Sequence, residues 1–119
     1  MTEMLSVMGE IIRRMTFPFS DGRFPSELGA VVQRTVISGE FPALIVIHDG
    51  GWLIGDDATD ASDPEASVIS HVRHLVESDP SIEETAGLPY GYAARRSSPS
   101  APWVIERWSY ADEDWQFVR

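Results

Sequence analysis

Cysteine, lysine and asparagine are all absent from this chain of 119 residues. Without cysteine there is no disulfide framework, no thiolate nucleophile and no cysteine-ligated zinc site. Without lysine there is no P-loop lysine, no Schiff base and no Ser-Lys dyad. An apolar core must therefore hold the chain together, and a chain of this length supports one such core and one domain. The use of arginine without lysine or asparagine is also typical of a GC-rich bacterial genome.

Positive charge is scarce, because nine basic side chains face 19 acidic ones and the formal net charge is −10. Such a balance repels phosphate backbones and anionic membrane surfaces, so we expect neither nucleic acid nor membrane as a partner. The same field would speed the encounter with a basic protein. Solubility alone would account for the charge equally well.

Long apolar runs are also missing, since none approaches the roughly 20 residues that span a bilayer. The N-terminus has no basic region ahead of an apolar stretch. Glu3 and Glu10 come early, and Arg13 and Arg14 follow the apolar positions. We therefore expect a cytoplasmic protein.

Residues 3–15 have the periodicity of an amphipathic helix, with apolar positions at Met4, Leu5, Met8, Ile11, Ile12 and Met15. We expect this stripe to pack onto a sheet, although a methionine-rich face also suits an adaptable partner groove. Prolines and Asp21-Gly22 make the following residues a connector. Residues 1–27 are thus predicted to be an N-terminal helix and connector.

Residues 28–108 are predicted to form a single domain. Strands are expected at 28–37, 42–48 and 52–54, with Asp49-Gly50-Gly51 as a hairpin turn. Asp63-Pro64-Glu65 predicts the start of a helix, and Asp79-Pro80 predicts a shorter helix that Gly87 ends. The apolar stripe of the first of these helices comprises Val68, Ile69, Val72, Leu75 and Val76.

Two more strands are expected at 90–95 and 102–108, joined by a polar loop into a second hairpin. The order of elements is not the alternation of a doubly wound sheet. We therefore predict an α+β fold, with an antiparallel or mixed sheet of about five strands, the N-terminal amphipathic helix and two central helices. Residues 109–119 are a tail rich in acidic and aromatic residues.

Residues 49–65 carry six carboxylates and no basic side chain, around a single tryptophan. Tryptophan is enriched among interface hot spots, although insertion of such a large ring into the core is the commoner arrangement. We predict an acidic partner-binding surface here. Its members are Trp52, Asp49, Asp56, Asp57, Asp60 and Asp63.

The same carboxylates have a second interpretation, because aspartates clustered in a loop suit a divalent cation. A metal-assisted hydrolase that uses Asp56 to Asp63, with His71 or His74, is therefore the alternative function. The spacing matches no calcium loop and the chain has no recognisable catalytic motif, so we expect no cofactor and no enzyme activity. Arg95 and Arg96 are interpreted as edge charges that limit strand pairing.

The chain resembles a family of small bacterial domains of unknown function that is partly classified as immunity proteins of polymorphic toxin systems. The resemblance covers residues 28–106 and rests on Val31-Val32-Gln33-Arg34, Asp49-Gly50-Gly51-Trp52, the acidic stretch after it, Asp79-Pro80-Ser81-Ile82, Leu88-Pro89-Tyr90-Gly91 and Arg95. It implies an α+β fold and, for some members, neutralisation of a toxin by direct binding, with Trp52 at the family's tryptophan. Leu53 and Ile54 depart from the pattern, since members are more polar or aromatic there.

The function we predict is a non-enzymatic acidic domain that binds a basic protein, most concretely a toxin whose active site it occludes. The alternative hydrolase predicts stoichiometric binding of a divalent ion. The sequence does not define the oligomeric state.

Overall fold

A six-stranded mixed sheet forms the frame of the protein. The computed structural model describes residues 17–19, 21–59 and 64–108. The strands are β1 (Gly29–Gln33), β2 (Ile45–His48), β3 (Trp52–Gly55), β4 (Ser67–His71), β5 (Tyr92–Arg95) and β6 (Val104–Arg107). The helices are α1 (Arg34–Ser38), α2 (Val72–Ser78) and two 3-10 helices, Pro64–Ala66 and Pro80–Thr85.

The strand order is β4-β1-β3-β2-β5-β6, in which β1 and β3 are parallel and all other neighbours are antiparallel. The predicted α+β class with a mixed sheet is confirmed, with six strands where about five were expected. The predicted helix at 3–15 lies outside the described residues. None of the helices in the described ranges has the length and apolarity to cross a membrane.

The prediction of one strand from 28 to 37 is wrong in its second half. Backbone pairing stops at Gln33, and α1 follows until Gly39, whose φ of 80° ends the helix in the left-handed region. The β-branched residues of α1 favour a strand locally, but strand preference depends on which neighbours are available to pair. Here the chain leaves the sheet, and the Thr35 hydroxyl donates a hydrogen bond to Asp56, the residue that follows β3.

The prediction of a continuous helix from Pro64 onward is also wrong in part. A single 3-10 turn leads into β4, which pairs with β1 over five residues, and the helix begins only at Val72. A short apolar run does not by itself distinguish a strand from a buried helix segment. The predicted stripe is thus divided between two elements. Val68 and Ile69 lie in β4, and Val72, Leu75 and Val76 are the buried residues of α2.

Both predicted hairpins are present. The turn Asp49-Gly50-Gly51 joins β2 to β3, with Gly50 at a φ of 80°, and β5 pairs with β6 along its whole length. The shorter central helix is a 3-10 helix capped by Asp79, which accepts a hydrogen bond from the Ser81 amide.

The two faces of the sheet are packed differently. On the helix-covered face, Val32, Trp52 and Ile54 join the buried side chains of α2 and the second 3-10 helix in one cluster. On the open face, Ile45, Ile47 and Ala93 form a small second cluster with Leu53 and Trp108, and this cluster contains no residue of a described helix.

Candidate functional site

Trp52 lies in the core and only 5% of its surface is exposed. Its indole stacks on the His48 ring with centroids 4.0 Å apart, and the Phe24 ring meets it edge-on at 5.0 Å. This is the core arrangement that the sequence favoured over projection toward a partner. Trp52 therefore stabilises the predicted binding segment by packing in the core, and its ring is not available on the surface for a partner.

Asp56 is also buried, with 2% of its surface exposed. One carboxylate oxygen accepts hydrogen bonds from the hydroxyls of Thr35 and Thr59, and the other accepts from the amides of Ala58 and Thr59. Burial alone would raise the pKa of Asp56, but these four hydrogen bonds outweigh it and lower the pKa to about 2. Asp56 therefore closes a turn, and its charge is already satisfied within the chain.

Gln33 connects this turn to the sheet. Its side-chain oxygen accepts from the Asp56 amide at 2.7 Å, and its amide nitrogen donates to the Thr59 carbonyl at 3.2 Å. The carbon that a side chain at Gly55 would add lies 2.6 Å from the same oxygen, so any larger residue there would require the Gln33 amide to shift. These hydrogen bonds connect residues 56–59 to β1 beside the end of β3.

The other predicted acidic residues are dispersed. Asp49 is half-buried in the hairpin turn, and exposed Asp57 lies 2.9 Å from the guanidinium of Arg95, which also pairs with Glu106 at 2.8 Å. Asp60 and Asp63 lie outside the described residues. The described members therefore do not form one acidic surface centred on Trp52, because Trp52 and Asp56 are buried and Asp57 is ion-paired.

The histidines give little support to a metal centre. His71 and His74 are exposed with ring centroids 5.9 Å apart, and the described residues contain no group of three His, Asp or Glu side chains placed to share an ion. His48 is buried and its Nδ1 donates to the Leu88 carbonyl at 2.7 Å. Burial lowers the pKa of His48, against smaller raising effects of the Leu88 carbonyl and of Asp49. The neutral ring therefore acts as part of the core.

Arg96 is not the edge charge that the sequence indicated. It is 4% exposed and its guanidinium donates to the Ala43 carbonyl, to Ser81 and to Asp79, the last at 2.7 Å. The Trp103 ring lies beneath it at 4.1 Å. Arg96 therefore ties β5 to the second 3-10 helix, whereas its neighbour Arg95 remains near the surface of the opposite face.

Sequence reasoning missed the surface at the outer end of the sheet. Four large side chains are exposed there, namely Tyr90 (64%), Tyr92 (36%), Val104 (59%) and Ile105 (51%). We call them the tyrosine edge. Strand register places Tyr92 and Ile105 diagonally on one face of the last hairpin and Val104 on the other. The sequence carried no signal for this exposure, because alternation along a strand shows which residues share a face and not whether a helix covers that face.

Comparisons with known proteins gave no match to a family model, to a curated protein or to a solved structure. The resemblance to immunity-protein domains therefore rests on its motifs alone.

Proposed function

We propose that this protein is a non-enzymatic domain that binds a basic protein partner, and that the tyrosine edge is its contact surface. The main support is the exposure of Tyr90, Tyr92, Val104 and Ile105 on and beside the last hairpin, whose strand β6 is an edge strand of the described sheet. Tyrosine supplies a large rigid contact with a polar tip, and aromatic residues dominate interface hot spots. An outer strand also presents backbone groups to which a partner strand can pair.

The charge distribution supports a basic partner. Four arginines of the described chain, Arg23, Arg73, Arg95 and Arg96, are engaged in ion pairs. Exposed Glu27, Glu77 and Glu84 form no ion pair with a described residue. The remaining field is therefore negative, and it would steer a cationic surface toward the protein before short-range contacts form.

The most specific form of this proposal is a cytoplasmic immunity protein that neutralises a toxin by covering its basic active site. The motif resemblance supports this form, and the mechanism is steric and electrostatic. No chemical step by this chain is required.

The test is a pull-down from lysate of the native cells, with retained proteins identified by mass spectrometry. The variant carries Tyr92→Ser and Ile105→Ser. The matched control carries Ile37→Ser, because Ile37 has similar exposure (44%) but lies on α1. Circular dichroism first confirms that all three proteins are folded.

We expect wild type and control to retain the same basic protein and the double variant to lose it. With the purified partner, the association rate should fall steeply as salt rises, because screening weakens long-range attraction. If folded wild type retains no basic protein, or if the double variant retains it as well as the control does, the proposal is wrong.

A further inference from the structure

β4 is an edge strand of the described sheet, because it pairs with β1 on one side and ends the strand order. The Val72 amide donates to the Leu28 carbonyl at 3.0 Å, so these residues form a hydrogen-bonded pair that continues the register between β1 and β4. Hydrogen-bonded and non-hydrogen-bonded pairs alternate along an antiparallel ladder. The backbone N–H and C=O groups of Ser67, Ile69 and His71 therefore point away from β1, along the outer edge of the sheet.

This edge lacks the features that usually prevent two sheets from joining. Natural edge strands are protected by charged side chains, prolines, bulges or short length. β4 contains no Asp, Glu, Arg or Pro, and its residues pair consecutively with β1 without a bulge. The other edge strand differs, because β6 carries Glu106 and Arg107. Of the two described edges, β4 is therefore the one suited to an uncharged partner strand.

The side chains beside this edge are apolar and exposed. Strand register forms a row across the open face that lines a groove of about 190 Å³, comprising Ile69 on β4, Val31 on β1, Leu53 on β3 and Ile47 on β2. Ile69 is 52% exposed and Val31 is 39% exposed, whereas Ile47 is 5% exposed. Exposure thus increases toward the edge, and a strand added beside β4 would cover Ile69.

We propose that β4 of a second copy of this chain pairs with β4 in antiparallel orientation across a two-fold axis, so that the two sheets join into one. The register that pairs the whole strand places Ile69 opposite the same residue of the second copy. Because the groups of Ser67, Ile69 and His71 point outward, this register gives about six backbone hydrogen bonds between the copies. The apolar row then continues from one copy into the other.

Charge favours a second copy over a basic partner at this edge. No like charges face each other when β4 pairs with itself, and β4 offers no carboxylate to a cationic strand. Each copy carries a net charge of −10, so long-range repulsion opposes association and salt relieves it. We therefore expect the dimer to tighten as salt rises, whereas association with the proposed basic partner should slow.

This inference is independent of the tyrosine edge, and its failure would leave the proposed function standing. Sedimentation velocity of the full-length protein over a micromolar concentration series tests it. One variant carries Ile69→Arg and another carries Ile69→Asp, so that like charges face each other in either variant alone and opposite charges face each other in the mixture. The matched control carries Ile37→Arg, because Ile37 is comparably exposed (44%) but lies on α1. Circular dichroism first confirms that all proteins are folded.

We expect wild type and control to sediment as dimers. Each Ile69 variant alone should have a dissociation constant at least about tenfold higher than wild type, and the mixture should recover the dimer. A monomeric wild type would overturn the proposal. So would a mixture that stays monomeric, or a wild-type dimer that weakens as salt rises.

A second measurement addresses the backbone. Ile69→Pro removes the outward N–H, which does not pair with β1, and an edge strand tolerates proline where the missing N–H faces outward. Ile69→Val is the control, because it keeps the N–H and a β-branched side chain. We expect Ile69→Pro to be monomeric and Ile69→Val to be dimeric. A folded Ile69→Pro variant that dimerises as well as Ile69→Val would contradict strand pairing at β4.

The variant with Tyr92→Ser and Ile105→Ser distinguishes the two edges of the sheet. We expect it to remain dimeric, because both substitutions lie on the last hairpin and β4 is unchanged. If this variant is monomeric, the second copy occupies the tyrosine edge and the proposal for β4 is wrong.

Discussion

The two faces of this sheet differ in what they bury and therefore in what substitutions can do to them. The helix-covered face holds an aromatic cluster around Trp52 that excludes water almost completely. Among the described residues, the open face buries Ile45, Ile47 and Ala93 and leaves Val31 and Ile69 exposed. One face thus carries most of the stability, and the other is available for contacts with further segments or molecules.

Arg95 and Arg96 show the same difference at the level of neighbouring residues. Arg95 is the last residue of β5 and Arg96 follows it directly, and the two side chains enter opposite environments. The Arg95 side chain is 30% exposed and pairs with two carboxylates, while the Arg96 side chain is 1% exposed and bonds to backbone carbonyls as well. Identical residue types can therefore be compared across the sheet.

The largest expected effect is at Trp52. Trp52→Ala should lower the free energy of unfolding by about 3–5 kcal/mol, because it removes a ring that contacts several others and leaves a cavity. Ile69→Ala, on the open face, should cost less than about 1 kcal/mol. Urea denaturation of both variants measures this contrast, and similar losses would show that the faces are equally important to stability.

Arg96 should show the next largest effect. Arg96→Met removes the donor to Oδ2 of Asp79 and to the Ala43 carbonyl, so we expect a loss of about 2–3 kcal/mol in the free energy of unfolding. Arg95→Met should cost less than about 1 kcal/mol, because exposed ion pairs contribute little. Thermal and chemical denaturation measure the stability of both variants. A larger loss of stability for Arg95→Met would contradict our conclusion that Arg96 is the arginine that stabilises the fold.

Asp56 should make stability depend on pH. The pKa of Asp56 is about 2 in the folded protein and near 3.8 in the unfolded chain. As pH falls, the carboxylate is therefore protonated in the unfolded chain before it is protonated in the folded protein. The contribution of Asp56 is complete above about pH 4 and is lost toward pH 2, with a maximum of about 2 kcal/mol. The Asp56→Asn variant should show a shallower acid-denaturation curve. Some slope should remain, since hydrogen bonds and arginines also lower the pKa of Asp79 and Glu83 against the effect of burial.

Gly55 should show the smallest of these effects. Gly55→Ala places a methyl group against the Gln33 side chain, and we expect a loss of about 1–2 kcal/mol as the bonds from Gln33 to the turn are displaced. Gly51→Ala is the control, because nothing lies within 4 Å of the added carbon, and it should change stability by less than about 0.5 kcal/mol. Equal losses of stability in the two variants would mean that the Gln33 side chain moves aside without a cost in free energy.

The sequence predicted the parts of the fold that depend on local chemistry. Asp49-Gly50-Gly51 and Asp79-Pro80 indicated a turn and a helix start because their preferred backbone geometries are intrinsic to those residues. Residues 34–38 and 67–71 were assigned wrongly because pairing partners decided their structure. Ser67–His71 becomes a strand only because β1 offers it an unpaired edge.

The candidate site was harder to predict for the same reason. Burial of Asp56 and Arg96 depends on groups far along the chain, such as Thr35 for Asp56 and Ala43 for Arg96. Charge counted along the sequence therefore overestimated the acidity of the surface. The exposure of Tyr92 and Ile105 was likewise hidden, because alternation shows which residues share a face and not whether a helix covers that face.

The position of β1 in the sheet has a consequence for the order of folding. The hairpins β2–β3 and β5–β6 each pair strands that are close in sequence. By contrast, β1 is the first described strand in the chain, and it lies between β3 and β4, which are both synthesised after it. Contacts between distant segments form slowly because a long loop must close first. We therefore expect pulsed hydrogen exchange to show protection in β2 and β3 before β1. On the ribosome, the first strand to emerge would wait for the fourth before its pairing is complete.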